Sequence, residues 1–209
     1  QQVFRVVDST HVSVITNALT QGAGPFTVTF SDSAPAGTLY AVAGAAARRT
    51  PASIIEDESS NLYGSTNGAD YIIITHDDFY NAIQSLAAYR RAEGMRVTVV
   101  RIQDIYDDFS FGISSPYAIR DFLGFARDYW IQPAPAYVLL VGDSSYDYRD
   151  YEGLGTVNYL PVKMLHDDDS LETPSDNWYV CLDGEGDFLP EMRIGRLPAR
   201  TAGEVTTLG

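Results

Sequence analysis

Residues 69–79 read ADYIIITHDDF. The apolar run at its centre shows no alternation with polar residues. Such a run predicts a strand covered on both faces, because a half-exposed strand would place a polar residue at every second position. The polar residues that follow close the strand, and Asp77 or Asp78 is predicted to cap a helix, where a carboxylate also suits the positive end of the helix dipole. Phe79, Ile83, Leu86 and Ala87 share one face of that helix, and Gly94 supplies its stop. RVTVVRI (96–102) is a second strand. Ser115 then caps, Pro116 takes the first helical position, and Ile119, Phe122, Leu123 and Ala126 form a buried stripe. AYVLLVGD (136–143) is a third buried strand. Strands alternating with helices imply right-handed crossovers and a parallel sheet with helices on its faces.

The flanks read differently. VFRVV (3–7), HVSVIT (11–16), PFTVTF (25–30) and TLYAVAG (38–44) are short β-rich runs separated by Gly, Pro, Ser and Asn. They predict a small antiparallel β segment over residues 1–52, part of a β-sandwich. Residues 53–68 carry few periodic apolar positions and read as a linker, leaving 69–209 as the α/β unit. After Asp143 a Tyr-, Asp- and Gly-rich stretch (144–162) is expected to loop over the carboxyl edge of the sheet. NWYVCLD (177–183) and EMRIGRL (191–197) read as two further strands joined by an acidic loop. The chain opens mid-pattern and stops within a helix-like stretch, so it reads as a piece of a longer protein.

The chain has 209 residues, 45% of them hydrophobic and 20% charged, with a formal net charge of −14. That surface repels phosphate backbones and anionic membranes and favours multivalent cations, so neither nucleic acid nor membrane insertion is expected. Cys181 is the only cysteine, so no intramolecular disulfide forms.

Ligands of open α/β sheets gather beyond the carboxyl ends of the strands, where Asp143 falls. A second acidic concentration lies in DGEGD and its surroundings. Asp183, Asp187 and Glu191 recur every four residues, and Gly184 and Gly186 allow a sharp turn. Curled, the loop can turn these carboxylates inward, with the carbonyls of Asp183 and Leu189 facing the same centre, as a calcium ion requires. A solvated acidic hairpin explains the same spacing. Asp77, Asp78 and Asp143 together are compatible with a magnesium-dependent phosphotransfer (receiver-like) domain, although helix capping accounts for the first two. Cys181 sits between Val180 and Leu182 in acidic surroundings, which fits a small buried hydrophobe better than a nucleophile. His11, His76 and His166 show no zinc-ligand spacing, and HDDDS (166–170) reads as a charged loop.

Taken in order, ADYIIITHDDF, YRRAEGMRVTVV, AIRDFLGFA, YVLLVGD, PSDNWYVCLDG and EMRIGRLPA resemble the gingipain family of cysteine endopeptidases. The resemblance implies a caspase-like three-layer α/β sandwich with a mainly parallel sheet. It implies that the catalytic His, in a Gly-His-Gly motif, and the catalytic Cys belong to a second subdomain beyond the IGR strand. Residues 69–209 would then be the first, non-catalytic subdomain, inactive alone. Its partners would be the downstream catalytic subdomain and the protein substrates of the parent, in a secreted or cell-surface bacterial setting. The resemblance further implies a structural calcium held by the side chains of Asp143, Asp187 and Glu191 and the carbonyls of Asp183 and Leu189. The loop is one residue longer than the family version. A parent that has lost its nucleophile would instead be a binding or assembly module of a bacterial secretion system.

Overall fold

A computed structural model describes residues 1–8, 11–23, 25–44, 50, 60–148, 150–166, 172–184 and 186–209. The chain divides into two compact units, Gln1–Asp57 and Glu58–Gly209. Residues 53–59 of the expected linker and residues 167–170 of HDDDS lie outside the described residues.

In the first unit β1 (Gln2–Val6) runs antiparallel between β2 (Val12–Ile15) and β5 (Leu39–Ala43). A separate antiparallel pair joins β3 (Leu19–Gln21) to β4 (Thr27–Thr29). Val3 is fully buried, whereas Val12, Val14, Leu39 and Val42 remain exposed, so this sheet encloses little of its own apolar surface.

The second unit is built on a four-stranded sheet of β6 (Tyr71–Thr75), β7 (Val97–Arg101), β8 (Tyr137–Val141) and β11 (Arg193–Leu197), in the order β11-β8-β6-β7. Every pairing is parallel. The period of two along each strand divides the apolar residues between two layers. Ile72, Ile74, Val100, Val138 and Leu140 point to a face packed with α2 (Ile102–Ser110) and α3 (Pro116–Tyr129), through Ile105, Ile119, Phe122, Leu123 and Ala126. Ile73 and Val141 point to the other face, with Phe79 and Ile83 just before α1 (Gln84–Ala92), Ala87 within it, and Val205 from α4 (Ala202–Leu208). The result is the three-layer α/β architecture that the apolar strand runs predict.

Several local readings hold and several change. Ser115 caps α3, accepting from the Tyr117 N–H, with Pro116 at the first helical position. Gly94 adopts φ 93°, a left-handed conformation suited to ending α1. Neither Asp77 nor Asp78 caps α1. They lie in a 3₁₀ turn, Asp77–Phe79, whose cap is the His76 side chain accepting from the Asp78 N–H, and α1 begins only at Gln84. Helix α2 follows β7 with no loop. Its stripe of Ile102, Ile105, Tyr106 and Phe109 carries a helical period that the acidic residues between them obscure. NWYVCLD is not a strand: Asn177–Val180 form a 3₁₀ turn. Tyr179, Val180 and Cys181 are consecutive and all buried, which an alternating strand facing solvent on one side cannot achieve.

Before that turn, β9 (Lys163–His166) and β10 (Glu172–Ser175) pair antiparallel. Lys163 is the only lysine in the chain. Its Nζ donates to the Tyr117 hydroxyl at 2.8 Å and stands over the rings of Tyr117 and Trp178, tying β9 to α3.

Asp104, in the first turn of α2, has its carboxyl pushed up to about 6, chiefly by burial, with the charges of Asp77, Asp107 and Asp108 adding and Arg101 opposing. A carboxyl that holds its proton more tightly when folded favours the fold at low pH, and that contribution is lost as pH rises from the unfolded value near 3.8 through about 6. Asp104→Asn should therefore gain about 1 kcal/mol at pH 8, allowing for partial exposure, and nothing below pH ~3.5. Urea unfolding at the two pH values measures the difference.

Candidate functional site

The quoted sequence blocks converge on one side chain. Arg196, in β11, is 11% exposed and uses its whole guanidinium. Nε and Nη2 donate to the two carboxylate oxygens of Asp176 at 2.8 and 2.7 Å. Nη1 donates to the carbonyls of Gly142 and Leu160 at 2.8 and 3.0 Å, and Nη2 also to Pro161 at 2.9 Å. Tyr179 adds its hydroxyl to the same Pro161 carbonyl at 2.7 Å, and burial pushes that phenol far above its usual range. The VGD turn, the SDNWY segment and the IGR strand thus meet at a bidentate, planar contact that only arginine makes. Sequence reasoning quoted all three blocks without assigning Arg196 or Asp176 a role. The available signal was an arginine placed mid-strand between Ile194 and Leu197.

The acidic loop is held by groups from α3 and by its own backbone. Asp187 accepts from the N–H groups of Leu189 at 2.9 Å and Asp183 at 3.2 Å, and these bonds hold its carboxyl below the usual range. Glu191 accepts from the Leu182 N–H at 2.7 Å. Asp183 pairs with Arg127 at 2.9 Å. Arg120, one face-repeat earlier on α3, donates to the carbonyls of Cys181 and Gly184 and lies over the Trp178 ring. Two arginines and a set of N–H groups therefore meet the negative charge that the sequence concentrates here. Leu189 is exposed.

Asp143 lies elsewhere. It follows the carboxyl end of β8, its N–H donates to Ala199, and its carboxylate accepts from Arg200 at 2.6 Å and from the Ser144 N–H at 3.0 Å. The acidic loop enters the opposite, amino end of β11, which pairs in register from Arg193↔Tyr137 to Leu197↔Val141. The length of that strand, ~13 Å at about 3.3 Å per residue, separates Asp143 from Glu191. Calcium holds its oxygens within about 2.6 Å, so one ion cannot join Asp143 to Asp183, Asp187, Leu189 and Glu191. This structure does not bring the five residues together: parallel pairing sends the end of one strand and the beginning of its neighbour to opposite rims. Among the described residues no group of three acidic, His or Cys side chains is placed to hold a metal.

The other candidates are also accounted for. Asp77 pairs with Arg101 at 3.1 Å and Asp143 with Arg200, while the Asp78 carboxylate lies 3.5 Å from His76 Nδ1, so two of the three acids of the phosphotransfer reading are matched to an arginine. Cys181 is buried, its Sγ near the Asn177 carbonyl at 3.3 Å. Burial first, and then the charges of Asp187 and Glu191, push its thiol up, the reverse of what a nucleophile needs.

The second unit is thus a three-layer α/β fold, a four-stranded parallel sheet with helices on both faces, locked at its carboxyl rim by a nearly buried arginine. The profile of peptidase family C25 matches residues 65–208, and the chain belongs to that family, the gingipain family. Among solved structures, the crystal structure of dimeric latent PorU from Porphyromonas gingivalis is similar in fold, with a TM-score of 0.66 and 22% identity. The similarity covers 99% of this chain and 21% of that one, so the chain spans about a fifth of its relative. A structure described only as a protease aligns with a TM-score of 0.47 and 18% identity, over 65% of this chain and 25% of that one. No curated protein matches.

Replacing Arg196 by Ala should cost about 3–5 kcal/mol, because Asp176 and the carbonyls around it lose their donors in a nearly buried setting. Arg196→Lys should recover less than half of that loss, since an ammonium cannot reproduce the fork. Urea unfolding of the two variants and of Asp176→Asn checks the ordering.

Proposed function

We propose that residues 69–209 are the non-catalytic first subdomain of a secreted or cell-surface, gingipain-like cysteine endopeptidase. The family match over residues 65–208 carries this reading. Two features support it. The only thiol is buried, has its pKa raised and lies against a backbone carbonyl, so a nucleophile must come from another part of the parent. And β11 is an edge strand: among the described residues nothing pairs with its outer side. In a parallel ladder alternate residues face each neighbour. Arg193 donates to Ala136 and Leu197 accepts from Gly142, which leaves the N–H and C=O groups of Ile194 and Arg196 facing outward. An open edge of this kind seats a further element, and the rigid Arg196 contact holds it in place for the catalytic half. Protein substrates would be read and cleaved in that half, by a Cys thiolate with His as proton-transfer partner.

In the parent protein, Cys181→Ala should leave thiol-dependent cleavage of a peptide substrate within about twofold of wild type. Abolished cleavage by a folded C181A protein would overturn the assignment. Residues 1–209 alone should cleave nothing. If the parent, assayed with reducing agent, shows no alkylation-sensitive proteolysis, the alternative of a binding or assembly module takes its place.

Calcium enters this proposal only at the acidic loop, without Asp143. The carboxylates of Asp187 and Glu191 accept from neighbouring N–H groups of residues 183 and 182, which brings them to one part of the loop. Thermal melts in calcium and in chelator should then differ, and Asp187→Asn should erase the difference. Identical wild-type midpoints remove the ion.

A further inference from the structure

The face of the sheet that carries α1 and α4 is not fully covered. Near its amino rim runs a groove of about 410 Å³ lined by Tyr71, Tyr137, Leu139, Arg193, Gly195 and residues of the α1 end. Its floor is a single cross-strand row, because Arg193 is in register with Tyr137, and Tyr137 with Tyr71. The Arg193 guanidinium lies 5.5 Å from the centre of the Tyr137 ring, and the rings of Tyr137 and Tyr71 meet edge to face at 6.1 Å. Arg90 closes the far end from α1. It pairs with Glu93 through Nη1, while its buried Nε has no hydrogen-bond partner among the described residues.

Polar capacity is thus left over. Among the described residues Arg193 forms no ion pair, in a protein with a net charge of −14 where the other described arginines of this unit mostly meet acids or carbonyls. The groove opens directly onto the unpaired edge of β11. At Gly195 an added Cβ would meet no heavy atom within 4 Å, which leaves a notch between the row and the edge.

We propose that this groove and the β11 edge together receive an extended peptide segment bearing an acidic side chain. The segment pairs with the outward N–H and C=O groups of Ile194 and Arg196, as a strand added to the sheet. A side chain on its groove-facing side passes over Gly195 and sets its carboxylate on the Arg193 guanidinium, within reach of the Tyr137 hydroxyl. Backbone pairing supplies the docking and the carboxylate supplies the choice of segment, since a neutral side chain leaves the arginine without an anion. The inference rests on reading β11 as a docking edge and adds what that edge selects.

The test uses the 209-residue chain and two capped peptides, acetyl-Val-Thr-Glu-Thr-Val-amide and its Gln counterpart, followed by amide chemical shifts. The Glu peptide should shift Ile194, Gly195 and Arg196 and bind about tenfold more tightly than the Gln peptide. Arg193→Gln, a change at an exposed edge position, should erase the preference, and Arg193→Lys should restore part of it. Equal binding of both peptides at β11 keeps the docking edge and overturns the acidic selection. A preference that survives in R193Q overturns it as well. If neither peptide shifts β11, both the edge reading and the selection fall, while the proteolysis assay on the parent still stands as the separate test of the catalytic assignment.

Discussion

The guanidinium of Arg196 is the contact on which the second unit depends. The sheet itself needs only apolar strands, but the segments between β8 and β11 contain long stretches without regular structure. Something must fix where they run. A planar cation with its donors directed at Asp176, Gly142, Leu160 and Pro161 does this in one place. Three carbonyls and a carboxylate that would otherwise be desolvated without partners become a defined corner. The cost of burying the charge is offset only because each donor is used, so the arrangement tolerates little change in any participant.

The same logic runs through the acidic segments. Seen as a string of letters, residues 181–191 and the strand ends at Asp77 and Asp143 look like ligand sets. In three dimensions three of them meet arginine, Asp183 with Arg127, Asp77 with Arg101 and Asp143 with Arg200, and Asp187 and Glu191 accept from backbone N–H groups; outside the set, Asp70 meets Arg96 in the same way. Asp70 makes the point clearly. It accepts from the side chain and backbone N–H of Arg96, which hold its carboxyl low, and so clamps the start of β6 to the start of β7. A chain with twice as many acids as bases can still place its few cations where the fold needs them.

What could be read from sequence follows from the range of the forces involved. Runs such as YIIIT and YVLLV are local signals of burial on both faces, and the Ser115–Pro116 start of α3 is a local signal of capping, so strands and helices were legible. The order of the blocks carried the family. The 3₁₀ turn at 177–180 was not legible, because a continuous apolar run does not say whether it alternates or curls. Nor was the separation of Asp143 from the acidic loop. Strand direction decides which rim each reaches, and that depends on pairing between β8 and β11, more than fifty residues apart in sequence. Arg193 and Tyr137 escaped for the same reason: they become neighbours only through register.

The single lysine at position 163 has a practical corollary. With thirteen arginines and no second lysine, the protein offers acylating reagents one side-chain amine, seated on two aromatic rings where β9 meets α3. Its rate of acylation therefore clocks how often that hairpin lifts from the helix, without any engineered probe.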